Sequence, residues 1–222
     1  MKGVLRMSLE GKNKKLFSYN GIDKTGSNFM YKDFEKTSSY NSCFKQANFN
    51  FVSLRGAKMK FCDFTQASFV GSEFVGTNFR GSNFNGAHFE DAIFWCSVLD
   101  KTNFERASFE RCYFIGTGTS KARKFPADTT GITFLSKLPP VSDFSSALLQ
   151  VVQDLRTNDI IRRSHTLHLK GGQVNTLTLQ ILLMDYSEDT LITLLPQIPP
   201  LLTSQFYTLS YLKTLLKKSG II

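Results

Sequence analysis

From Ser27 to Phe114 a large apolar side chain returns at every fifth position, and the positions between are mostly polar. Eighteen units run from Phe29 to Phe114, with Ser39, Leu54, Met59 and Leu99 standing where the others have Phe. Fourteen of the sixteen phenylalanines in this interval fall in that register, where random placement would give about three. Two residues before each sits a small side chain, such as Ala47, Ser72, Thr77 or Cys112, broken only by Lys32 and Val52. On an α-helix a spacing of five carries each ring about 140° past a full turn, so no face forms. On a flat strand an odd spacing sends successive rings to opposite faces. The small residue and the Phe, two apart, share a face of a short extended piece, provided the chain bends once per repeat. Repeated bending winds a solenoid with these two positions inside and the other three in water. Asn, Ser and Gly crowd the outward positions, as in Asn48, Asn78, Gly71 and Gly81, and these residue types suit a bending backbone.

Units such as Ala47-Asn48-Phe49, Thr77-Asn78-Phe79, Ser82-Asn83-Phe84, Ala87-His88-Phe89, Thr102-Asn103-Phe104 and Ala107-Ser108-Phe109 resemble the pentapeptide repeat family, whose pattern is A(D/N)LXX or A(D/N)FXX. The resemblance implies a mainly β protein, a right-handed quadrilateral β-helix with four pentapeptides per coil. Eighteen units then make about four to five coils, a rod roughly 22 Å long. Ser39 and Lys32 depart from the pattern, so an irregular first coil is expected.

Residues 1–26 lack the register and are assigned as an N-terminal cap, with Lys12, Lys14 and Lys15 protecting the open edge. Residues 27–116 form the solenoid. Residues 117–141, rich in Gly, Thr, Ser, Lys and Pro, read as a linker or covering loop. Residues 142–222 read as a small helical C-terminal domain: a helix from a Ser142 cap to about Arg156, a segment at 165–184 that fits a hairpin or a helix and leans to helix after Asn175, a helix opened by Ser187 and ended by Pro196, and a last helix from about Pro200 to Lys218, stopped at Gly220.

The net charge is +9. Residues 27–114 nevertheless carry ten basic and nine acidic side chains, so the rod is nearly neutral. Arginine and aromatic residues do not interleave as base stacking requires, and nucleic acid is not the expected partner. Of four cysteines, Cys62 and Cys112 hold the small inward position and Cys43 and Cys96 an outward one; without a C-x-x-C pair they read as thiols of a reducing compartment. Charge interrupts the N-terminal stretch, and no apolar run reaches the length of a membrane span. A bacterial, cytoplasmic protein is expected; export as an effector would leave no readable signal.

Residues twenty apart stack when four repeats make a coil. One outer face then carries Val75, Ile93, Trp95, Tyr113 and Ile115, an apolar ladder that either the following segment covers or a partner or second copy uses. A smaller group, Met30, Tyr31, Phe51 and Val70, is expected under the N-terminal cap. Lys58, Lys60 and Arg80 share a third face, interrupted by Asp100.

Catalysis needs a convergent nucleophile, acid–base pair or metal. His165 and His168 lie three apart without ligand-spaced partners, His88 is outward, and Lys170-Gly171-Gly172-Gln173 lacks phosphate-loop spacing. No enzyme activity, cofactor or metal is expected. The reading is a protein-interaction scaffold whose helical tail binds a partner or dimerises. The family resemblance adds an alternative, since some pentapeptide repeat proteins mimic B-form DNA and bind DNA gyrase or topoisomerase IV, protecting against quinolones or toxins; the absence of acidic stripes speaks against it.

Overall fold

The computed structural model describes residues 18–219. The proposed edge lysines Lys12, Lys14 and Lys15, most of the N-terminal cap and the Gly220 stop lie outside them.

The repeat folds as expected. Among the described residues ten short strands form: β1 (Ser18–Asn20), β2 (Ser38–Tyr40), β3 (Lys58–Lys60), β4 (Ser68–Val70), β5 (Glu73–Val75), β6 (His88–Glu90), β7 (Ile93–Trp95), β8 (Ser108–Glu110), β9 (Cys112–Ile115) and β10 (Ile132–Leu135). Every pairing is parallel and twenty residues apart, as in Phe69↔Phe89 and Phe94↔Phe114, so four pentapeptides make one coil. Three faces are the sheets β1-β2-β3, β4-β6-β8 and β5-β7-β9-β10. The fourth is held by single bridges such as Asp63↔Asn83 and Asn83↔Asn103.

The bend that resets the parity sits two residues past each inward side chain. All eighteen such positions from Tyr31 to Gly116 have positive φ, although twelve of them are not glycine. A left-handed L-residue costs about 1–2 kcal/mol, and the ladder offsets it. Within the rod, Phe rings stack along the columns where Phe follows Phe, as for Phe64 on Phe84 at 4.8 Å, and meet edge-on round the corner, as for Phe79 and Phe84 at 5.1 Å. The small position tolerates hydroxyls where they find a carbonyl in the coil below: Ser72 Oγ donates to Phe49 O, Thr77 to Leu54 O and Ser82 to Met59 O; the buried hydroxyl of Thr37, in the second coil, has none among the described residues. The Asn before the Phe earns its place too. Asn48 Oδ1 accepts from Asn50 N at 2.9 Å and Asn78 Oδ1 from Arg80 N at 3.0 Å, each closing the local turn.

The solenoid extends past both expected ends. It has about six turns instead of four to five. At the start, β1 pairs with β2, Tyr19 continues the inner column against Phe44, and Ser39 is buried. At the other end, the region read as a linker adds a further coil: Arg123 bridges Asn103, β10 pairs with β9, and Phe125 closes the core against Phe104, Phe109 and Phe114. Phe125 stands one place off the five-residue register, which is why the repeat count stopped short of it.

The helical region contains α1 (Ser146–Leu155), α2 (Asp159–Ser164), α3 (Thr176–Leu182), α4 (Glu188–Leu194) and α5 (Leu209–Lys218). The N-cap of α1 is Ser145, not Ser142, which lies in the 3-10 turn Val141–Asp143. Asn158, which caps α2, gave no expectation of a helix there. Asn175 caps α3, and the preceding segment also makes the hairpin, with His168 bridged to Val174. The last helix begins nine residues later than expected, because Thr208 caps it and the 3-10 turn Pro199–Leu201 is followed by extended chain.

Candidate interaction surface

The apolar ladder and the helical region meet. Ile93 and Ile115 are buried in one cluster with Leu148, Leu191, Leu209 and Leu212 of the helices, and Trp95 and Tyr113 pack against it half-buried. Val75, the lowest rung, is half-buried and outside that cluster. The five rungs are brought together on the β5-β7-β9 face, as the spacing required, and four of them are spent on intramolecular packing. Tyr113 Oη donates to Met184 Sδ at 2.9 Å, and Lys213 of α5 pairs with Asp185 at 2.7 Å.

Sequence reasoning missed what fixes α5. The Glu73 carboxylate, on β5, accepts from Leu209 N at 2.6 Å, so a solenoid side chain holds the first turn of a tail helix. A carboxylate there completes an unsatisfied N–H and complements the helix dipole. Arg55 stands 4.0 Å from its other oxygen. Burial pushes the Glu73 carboxyl above the ordinary carboxylate range, against the opposing pull of Arg55 and the Leu209 N–H. Beside it Gly71 leaves room for Ser210: a Cβ there would lie 2.5 Å from Ser210 Cβ. The available signal was one acid, Glu73, in the column of Ile93 and Tyr113.

The second apolar group lies at the opposite corner of α5. Tyr31 stacks on Phe51 at 5.1 Å and meets Tyr211 edge-on at 5.5 Å. With Phe206, Tyr207 and Lys218 these rings line a cleft of about 310 Å³. Met30 and Val70 are half-buried.

The groups able to do chemistry are engaged structurally. His168 is buried with Nε2 on Val152 O at 2.9 Å, and His165 is the left-handed C-cap of α2. Burial lowers the pKa of both. His88 lies between Ser108 Oγ and the Glu90 carboxylate. Cys62 and Cys112 are buried, with thiols pushed up to about 11, while Cys43 is half-buried and Cys96 exposed. Among the described residues no three His, Cys, Asp or Glu side chains converge as a metal site would require, and no helix is long and apolar enough to cross a membrane.

Parallel ladders with a twenty-residue step, an inward Phe and an inward small residue describe one repeat type, and the family model for pentapeptide repeats matches residues 47–86 and 82–117 in eight copies. Residues 47–117 are pentapeptide repeats wound into a solenoid. It carries a C-terminal helical region folded against one face. Solved pentapeptide-repeat structures are similar to it at low identity. Rfr23 from the cyanobacterium Cyanothece 51142 is 14% identical over 54% of this chain and 84% of its own, with a TM-score of 0.33. HetL from Nostoc sp. strain PCC 7120, involved in heterocyst differentiation regulation, is 14% identical over 55% and 88%, with a TM-score of 0.30. QnrB1, a plasmid-mediated fluoroquinolone resistance protein, is 19% identical over 53% and 77%, with a TM-score of 0.25. No curated protein matches the chain.

Proposed function

We infer that this protein is a non-enzymatic interaction scaffold: a rigid pentapeptide-repeat rod that presents its open faces to a protein partner while its helical region serves as a built-in cover for the fourth. The observation that supports this most is the seating of α5 and its neighbours on the apolar ladder, with Ile115 only 2% exposed. An apolar strip that would otherwise drive self-association is used inside one chain, so the partner surface falls on the polar faces. The tail, expected from the sequence to bind a partner or dimerise, packs on its own rod, which favours the polar faces as the partner surface. Mimicry of DNA is the weaker reading, because Lys58, Lys60 and Arg80 stand on one open face where phosphate mimicry asks for acid.

Affinity capture with the full chain, followed by binding of the purified captured protein, tests the reading. A single protein bound at micromolar affinity or better by the isolated full chain is the expected result. Failure of every captured protein to bind the purified chain directly would overturn it. In a supercoiling assay with DNA gyrase and a quinolone, the full chain is expected to leave the enzyme and its inhibition unchanged.

A further inference from the structure

The near-neutral sum over the rod hides a segregation of charge. On the β1-β2-β3 face and its continuation, Lys58, Lys60, Arg80 and Lys101 make no ion pair among the described residues, and none contacts Asp100, the one acid beside them. Lys58 and Lys60 point outward from one strand, about 7 Å apart. Arg80 lies one coil above Lys60, since Phe61 N donates to Arg80 O at 3.1 Å, which puts like charges about 4.8 Å apart in the ladder direction. Like charges in adjacent rungs repel, and no ion pair among the described residues offsets that repulsion on this face. Tyr40 is paired with Lys60 in the register, and Phe61 follows at the corner. The two rings meet edge-on at 5.3 Å and are 54% and 45% exposed.

The acids of the opposite β4-β6-β8 face are consumed at home: Arg111 bonds Glu90, Asp91 and Glu110, and His88 lies against Glu90. That face of a second copy therefore has no unpaired acid among the described residues to offer. Phe61 lies over Gly81, where a Cβ would sit 2.6 Å from the ring, so one ring face is closed and the pair forms no open stacking slot for a base.

We propose that this basic and aromatic face binds an acidic, extended protein segment, with carboxylates on two alternate residues over Lys58 and Lys60, the second also within reach of Arg80, and an apolar side chain at the next alternate position against Tyr40 and Phe61. Alternate side chains of an extended segment repeat at about 7 Å, the spacing of the lysines. The proposal rests on the scaffold reading and names the partner's chemistry.

The test is fluorescence anisotropy of the full chain with three labelled probes: a twelve-residue peptide of two Glu-Ser-Glu-Ser-Leu-Ser units (the Glu-Leu peptide), which puts Glu and Leu on one face when extended, its counterpart with Ser in place of Leu (the Glu-Ser peptide), and a twelve-nucleotide oligo(dT). The Glu-Leu peptide is expected to bind best, more weakly as salt rises. Lys60→Glu with Arg80→Glu should weaken it about tenfold or more, whereas Lys217→Glu with Lys218→Glu, an equal change in net charge, should leave it as in the wild type. Tyr40→Ser with Phe61→Ser should reduce the Glu-Leu peptide to the level of the Glu-Ser one. Lys58→Gln with Lys60→Gln, which introduces no new charge, guards against a misfolded reversal variant and should also weaken binding. Equal loss in the α5 control, no binding of the Glu-Leu peptide, or tighter binding of oligo(dT) would each overturn the proposal. A captured partner that still binds the Lys60→Glu, Arg80→Glu variant leaves the scaffold reading standing and removes this face from it.

Discussion

Replacing Phe84 by Ala removes a ring surrounded by others of its own kind. Phe84 is 0% exposed, lies between Phe64 at 4.8 Å and Phe104 at 5.4 Å in its column, and meets Phe79 and Phe89 round the corners at 5.1 and 5.5 Å. The loss combines transfer of the ring with a cavity that parallel ladders on all sides keep from collapsing, about 3–5 kcal/mol. Phe61, an outward Phe 45% exposed at a corner of the same rod, provides the internal control, with Phe61→Ala costing under about 1 kcal/mol. In urea, at a slope of roughly 2–3 kcal/mol per molar, the Phe84→Ala midpoint should fall by more than about 1 M by far-UV circular dichroism and the Phe61→Ala midpoint by a few tenths. Equal midpoints for the two variants would refute the assignment of the five-residue register to the inside.

Glu73→Gln tests the contact between rod and tail through its pH dependence. A folded pKa above the unfolded value means that the folded protein holds the proton more tightly. The contribution of Glu73 is therefore fully present below about pH 4 and is lost as the pH rises through its folded value. The melting temperature of the wild type relative to Glu73→Gln should fall between pH 4 and 8; a constant or rising difference would contradict the burial of that carboxyl. Native protein should react with a thiol reagent first at Cys96 and then at Cys43, with Cys62 and Cys112 released only on unfolding; rapid reaction of Cys112 would place it outside the rod. Light scattering of the purified chain should give the 25.1 kDa of one copy, and a dimer mass at micromolar concentration would return the helical tail to the role of an interface.

The rod was legible because its signal is covalent in scale: one residue type at one interval, repeated until chance is excluded. The step of twenty, by contrast, rests on the resemblance until the pairing is seen. The ends were illegible for a local reason. Tyr19 and Phe125 do the work of inward Phe residues, but Tyr19 precedes the run of Phe and Phe125 is shifted by the turns before it. The ladder from Val75 to Ile115 was legible as a surface needing cover, since apolar side chains alternate outward there. Its cover is set by contacts between residues more than a hundred positions apart, such as Glu73 with Leu209, and no periodicity encodes those. The basic face was legible column by column in Lys58, Lys60 and Arg80 although charge summed over the rod cancels, while the pairing of Tyr40 with Phe61 beside it is seen only in the structure.

Trp95 is the sole tryptophan and sits where the rod and the helices meet, so its fluorescence reports whether they form one unit. A urea titration of the full chain followed by both Trp95 emission and far-UV circular dichroism should give coincident transitions, because the tail and the ladder come apart only together. A Trp95 transition completed at lower urea than the loss of secondary structure would show that the helices leave the rod on their own, and would contradict the cover.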